Sequence, residues 1–172
     1  VDALCQVALA HILVARYDLE EVPAMLETAW EKVRFLQIAY RAPALWGFAR
    51  YYEVSRQPHQ AAEYYQKLLD DWQTTEERGL ALVFLQDAIE FYVSQDDLWK
   101  AGRWLNELTR LVSITGNPVG HAALLSAEGA LATAEGRTQD AQTAFHSAYR
   151  KWAELKRPYS QARTGLRLAR LL

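Results

Sequence analysis

The sequence holds a single cysteine, Cys5, in 172 residues. A disulfide within the chain is excluded, and so is a metal site built on several thiolates. Such cysteine usage suits a reducing cytoplasm. Cys5 stands in an apolar run, so a buried, inert thiol is expected there. Glycine and proline are scarce, at eight and five, and rarely interrupt the periodic segments. No run alternates apolar and polar residues between turn pairs, the usual signal of a strand. Long apolar runs are missing too. The opening VDALCQVALAHILVARYDLEE is broken by His11 and Arg16 and lacks a basic leader and a small-residue cleavage site. It therefore reads neither as a membrane span nor as a targeting segment. It starts on Val rather than Met, and the chain is read as a piece of a longer protein. No GxxxxGK[ST] occurs, so no phosphate loop of that kind is expected. Neither sign of charge dominates. A formal net charge of -2 argues against a chain built mainly to grip nucleic acid.

What is present is helical periodicity. Half the residues are hydrophobic (51%), and they recur three and four apart almost throughout. The spacing predicts nine helices, over 2–17, 20–38, 42–55, 59–73, 75–94, 97–114, 119–135, 138–156 and 159–172. Pro43 and Pro58 fall near predicted helix starts, where a missing N–H costs nothing. Asp96 is the expected N-cap of the sixth helix, and TGNP at 115–118 separates the sixth from the seventh. Alternate helices repeat. Val22, Ala61, Ala101 and Ala141 correspond, at successive intervals of 39, 40 and 40. Four positions on lie Leu26, Tyr65, Leu105 and Phe145, then Ala29, Leu68, Leu108 and Ala148, then Val33, Trp72, Val112 and Trp152. These offsets trace one stripe of a helix. Twelve positions before each small residue, the preceding helix offers Ala10, Ala49, Ile89 and Gly129. Small residues there let two helices approach closely; Ile89 departs from the pattern, and Ala88 beside it is a substitute. Ala169 occupies the same place in the closing helix.

This pattern resembles tetratricopeptide (TPR) repeats, above all in LWGFARYYEVSRQPHQAAEYYQKLLDDW (45–72) and AEGALATAEGRTQDAQTAFHSAYRKW (127–152). It is longer than the ordinary TPR unit of about 34 residues. The interval here is 39–40, and the usual repeat-end Pro is missing. Longer repeats look like the TPR-like superhelix of large signal-transduction ATPases, among them the MalT and LuxR-type transcriptional regulators. The closing WAELKRPYSQARTGLRLARLL is similar to a phrase of that helical region. The resemblance implies an all-α fold, a right-handed α-solenoid of antiparallel helix pairs, about four and a half repeats in a single domain over 1–172. The repeats fall at 1–40, 41–74, 75–116 and 117–157, with a half-repeat at 158–172. It implies a non-catalytic scaffold or sensor segment of a multidomain bacterial regulator, cytoplasmic, needing no cofactor and joined to flanking domains of the parent chain. A standalone TPR adaptor for protein assembly is the alternative.

The residues themselves offer little chemistry. His11, His59, His121 and His146 are scattered, and none has a His or Cys partner at the spacing that pairs ligands on one helix face. His59 and Glu63 read as a surface pair. The adjacent carboxylates Asp70/Asp71, Glu76/Glu77 and Asp96/Asp97 are placed in turns, the latter two pairs at helix starts. No enzymatic activity is expected. In TPR-like superhelices the first helix of each pair lines the concave wall. Carried onto this chain, the inward positions are Trp46, Arg50, Glu53 and Val54, then Gln86, Glu90, Val93 and Ser94. The fourth repeat adds Ser126, Ala130, Thr133 and Ala134, a smooth patch of small residues. Trp46 beside Arg50 and Glu53 suits recognition of a protein, peptide or small effector, or else Trp46 packs on a neighbouring repeat. Charge is uneven: 53–97 holds ten acidic and three basic residues, 150–172 seven basic and one acidic. Arg163, Arg167 and Arg170 form one helical stripe. No second helix stands at recognition-helix spacing, so an acidic partner surface is favoured over direct contact with nucleic acid. By the family's geometry these arginines face inward, opposite the acidic middle. In the closing helix, Leu168 and Leu172 are expected to pack back. Leu171 and Leu166 are expected to stay exposed, an apolar face suited to a dimer contact.

Overall fold

The computed structural model describes residues 2–73 and 81–171. Among them the chain is all-α, with nine helices and no strand. They are α1 (Ala3–Ala15), α2 (Val22–Val33), α3 (Ile38–Val54), α4 (Pro58–Gln73), α5 (Ala81–Ser94), α6 (Leu98–Thr115), α7 (Pro118–Ala134), α8 (Thr138–Glu154) and α9 (Pro158–Ala169). Two compact units divide the chain, Val1–Arg78 with α1–α4 and Gly79–Leu172 with α5–α9. Within each unit every helix packs on the next, and α1 also packs on α3 and α5 on α7.

Two local rules build the pairs. The first is the buried stripe. Of the sixteen stripe positions on α2, α4, α6 and α8, fifteen are buried, most of them completely. The exception is Leu105, half-buried on α6, where Trp104 takes the interior place at 2% exposure. One residue of rotation suffices for that exchange, since an indole covers more apolar surface than an isobutyl group. The second rule is the turn. Tyr17, Arg56, Asp96 and Gly136 all have left-handed φ, between 58° and 74°. The residue after each donates its N–H back to Leu13, Tyr52, Tyr92 and Ala132, closing the same six-residue loop. Both sets recur at intervals of 39, 40 and 40. At the other kind of junction, Gly116 ends α6 at φ 59°, and the Asn117 side chain accepts from the N–H groups of Val119 and Gly120 to start α7.

Close approach follows from the small residues. Ala10, Ala49 and Ile89 are fully buried, with Ala88 buried beside Ile89. A Cβ on Gly129 would stand 2.7 Å from the ring of Phe145 in α8. In the first unit, Val7, Ala10 and Val14 of α1 meet Val22, Leu26 and Ala29 of α2 and Ala44 and Phe48 of α3.

Several expectations are corrected. Cys5 is exposed, because α1 is apolar on nearly every face and only the stripe Ala3, Val7, Ala10 and Val14 turns inward. Leu4, Leu9 and Ile12 are exposed on that outer side at 42%, 47% and 55%. α2 stops at Val33 and α3 begins at Ile38, so Pro43 lies inside α3 rather than at its start. Ile38, Ala42 and Leu45 form the buried edge that carries α3 back to Ile38. The cap of α6 is Asp97, whose carboxylate accepts from the Lys100 N–H at 3.1 Å, while Asp96 takes the left-handed turn position. Asp70 and Asp71 lie within α4 rather than in a turn; Asp71 accepts two bonds from Arg41. Glu76 and Glu77 lie outside the described residues, as does Leu172.

Candidate functional site

The predicted inward residues divide between the two units. In the first, Trp46 on α3 is half-buried with its ring tilted 45° over the His11 ring at 4.4 Å. His11 Nε2 lies 3.0 Å from the Pro43 carbonyl oxygen. Trp46 thereby has the geometry of a packing residue on α1. Arg50 donates to Glu53 Oε2 at 2.7 Å, and the buried Tyr65 hydroxyl donates to the same oxygen at 2.9 Å. The charges of Arg50 and Glu53 answer each other.

The second unit gathers Gln86, Glu90, Arg163 and Arg167 into one set, with Arg170 a turn further on. Asp87 and Glu90, three apart on α5, share a face, and Arg163 and Arg167, four apart on α9, share another. Asp87 is 4% exposed and Glu90 7%, a burial that carboxylates tolerate only when paired. Arg163 Nη2 lies 2.8 Å from Asp87 Oδ1 and donates to Glu90 Oε2 at 2.5 Å. Arg167 donates to the same Oε2 at 2.7 Å. The other oxygen, Oε1, accepts from Gln86 Nε2 at 2.9 Å. Side chains 73 and 77 positions apart in sequence therefore meet at one carboxylate.

A neutral set links α7, α8 and α9. The Trp152 indole donates to Ser126 Oγ at 3.0 Å, Ser126 donates to the Ala122 carbonyl, and Thr164 donates to that of Ser160. The Ser126 and Thr164 hydroxyls stand 3.4 Å apart. The Ser126 and Thr164 hydroxyls are thus satisfied, as the low dielectric demands. These contacts seat α9 on α7 and α8.

Beside Glu90 a cavity of about 290 Å³ opens, entirely within the second unit. Val93, Ala130, Phe145 and Leu171 supply its apolar wall, Ser94 and Thr133 its hydroxyls, and Glu90, Arg167 and Arg170 its charges. The Ser94 and Thr133 hydroxyls donate to their own helix backbone, at Phe91 O and Gly129 O, so they offer only lone pairs to the cavity. Arg170, exposed just past α9, makes no ion pair among the described residues. Leu171 does not stay exposed as the sequence suggests. It packs on Ala130, Ala132, Ala141, Phe145 and Leu168, and its carbonyl accepts from Gln142 Nε2 at 3.2 Å. Leu166 is 57% exposed and Leu168 is buried at 8%; Ala169 is exposed.

Sequence reasoning passed over three members of this site. Asp87 lies off the inward positions, yet its spacing from Glu90 marks a second carboxylate on the same face. Phe145 belongs to the core stripe and also lines the cavity. Leu171 needed the path of the chain past Ala169, which no periodicity supplies. Among the described residues no group of three or more His, Cys, Asp or Glu is placed to hold a metal ion. Nor, among them, is any helix long and apolar enough to cross a membrane. No protein-family model matches the chain, and no curated protein is found similar to it.

Proposed function

We propose that the chain is a non-catalytic binding segment, a right-handed solenoid of TPR-like helix pairs whose period exceeds that of the ordinary TPR. In this reading it serves a multidomain cytoplasmic regulator of the MalT and LuxR type as scaffold or sensor. A protein, peptide or small effector occupies the inward face and biases how flanking domains dock. The regular recurrence of left-handed turns and buried stripes supports the repeat. One observation carries the binding role. The inward positions carried over from the TPR-like resemblance, Glu90, Val93, Ser94, Ala130 and Thr133, line a single cavity together with Arg167 and Arg170. Coupling of repeats mainly to their neighbours makes a change of curvature energetically cheap.

Titration of candidate peptides and effectors against wild type, Arg167→Ala/Arg170→Ala and Trp46→Ala/Arg50→Ala tests the site. Loss of binding in the first pair with retention in the second is expected. Equal binding by all three would sink the assignment. The adaptor reading draws on the exposed Tyr159 and Leu166 of α9, at 53% and 57%, a surface for protein assembly or a dimer contact. The surrounding coding sequence separates the two: a nucleotide-binding or helix-turn-helix module beside this segment favours the regulator. Solution scattering tests the shape. A compact chain of this length has a radius of gyration of about 16 Å, and a solenoid must exceed it.

A further inference from the structure

We infer that the cavity between α5, α7, α8 and α9 takes a small monoanion with an apolar body, of the aliphatic or aryl carboxylate class. This rests on the reading of that cavity as the binding site.

The charge count comes first. Among the described residues, two guanidiniums, of Arg163 and Arg167, meet two carboxylates, of Asp87 and Glu90, and a third, of Arg170, shares the cavity wall with Glu90. Arg163 and Arg167 are engaged by those carboxylates; among the described residues Arg170 is the cation of this set left without an ion pair. One uncompensated positive charge selects a monoanion, because a dianion such as a phosphate monoester would bring a second charge with no cation to meet it. Shape comes next. A planar guanidinium binds a planar carboxylate through two parallel N–H donors. The hydroxyls at the wall are committed as donors to the backbone, so no neutral donor competes with Arg170 for the anion. Arg167 retains N–H groups beyond the Nη2 bond to Glu90 and flanks the same opening.

The remaining wall is apolar. The ring of Phe145 and the side chains of Val93, Ala130 and Leu171 offer nothing for a polar tail. At about 290 Å³ the volume sits at the small end of ligand pockets, which suits one short chain or one ring. Such a ligand buries its hydrocarbon against Phe145 and leaves its carboxylate at the mouth, on Arg170.

The test uses the whole chain and amide chemical-shift titrations with octanoate, octanamide and octylammonium. Octanoate is expected to move the amides of Ala130, Thr133 and Arg170, with octanamide at least tenfold weaker and octylammonium weaker still. Arg170→Gln is expected to lower octanoate affinity about tenfold, to the level of the amide. Thr133→Trp, at an exposed position, is expected to block both probes at an unchanged melting temperature. Equal binding of octanoate and octanamide, both blocked by Thr133→Trp, overturns the anion inference and leaves the cavity as a site. Octanoate binding indifferent to Thr133→Trp overturns the cavity itself. Silence from all three probes up to the solubility of octanamide overturns the carboxylate class, while the effector titration above still decides whether the cavity binds at all.

Discussion

Glu90 is the residue on which the second unit turns. One oxygen of a buried carboxylate receives two guanidiniums from α9, while the other is held by Gln86. The arginine side chains are 26% and 31% exposed, so part of their charge stays solvated. Glu90→Gln keeps the shape and removes the charge, leaving Arg167 without its carboxylate. The expected loss is about 1–3 kcal/mol, read as a lower urea midpoint at unchanged slope. A gain in stability would mean that desolvating Glu90 outweighs its bonds, as happens for some buried pairs. Glu128, half-buried on α7, makes a second residue-scale case. Burial raises its carboxyl pKa above the ordinary value. The protonated form is then favoured by folding: that stabilisation is complete below the unfolded pKa, about 4.3, and is lost as pH rises through the folded pKa. Glu128→Gln should therefore melt above wild type at neutral pH, with the difference closing toward about pH 4. Asp97 runs the other way. Its bond from the Lys100 N–H is the chief cause of a lowered pKa, so its contribution is present above the unfolded value and fades as pH falls through the folded one.

At the scale of the element, helix pairs live on close contact, and two glycines separate its causes. Gly129 faces Phe145 so closely that a Cβ would meet the ring at 2.7 Å. Gly129→Ala must push α7 from α8 and should cost about 1–3 kcal/mol. Gly102, in the second turn of α6, has nothing within 4 Å of an added Cβ. Gly102→Ala should instead stabilise by about 0.5–1 kcal/mol, the helix-interior cost of glycine. Paired thermal melts check both signs, and like signs would show that backbone entropy rather than packing dominates. This contact is also what made the elements legible in sequence. A stripe that follows the helical period can be buried in only one way, so Val22, Ala61, Ala101 and Ala141 fell inside as a set. Cys5 was misread for the opposite reason: a helix apolar on every face carries no direction. Pro43 and Asp96 erred by a turn and a residue, because both boundaries depend on backbone geometry that the apolar period does not encode.

For the whole molecule, the decisive fact is the separation between residues that meet. Arg163 and Arg167 reach a carboxylate 73 and 77 positions away, nearly twice the 39–40-residue spacing of the sequence pattern. No local pattern announces such a contact; only the register of the repeats, with the imbalance of charge between 53–97 and 150–172, hinted that these faces oppose. The cavity was still less legible, since it exists where small residues on α7 fail to fill the space that α9 encloses. In the array proposed here stability is carried by near neighbours, and damage should stay near its source. Every group in the ionic set belongs to 79–172, whereas α1–α4 have a core of their own around Leu26 and Phe48. Hydrogen exchange on the intact Glu90→Gln chain measures how far the loss travels. Amides of α5 and α9 are expected to exchange several-fold faster, those of α7 and α8 less so, and those of α1–α3 at the wild-type rate. Uniform acceleration from α1 to α9 would show instead that the chain opens as one cooperative body, and the effector-driven flexing proposed for it would then have to move all these helices together.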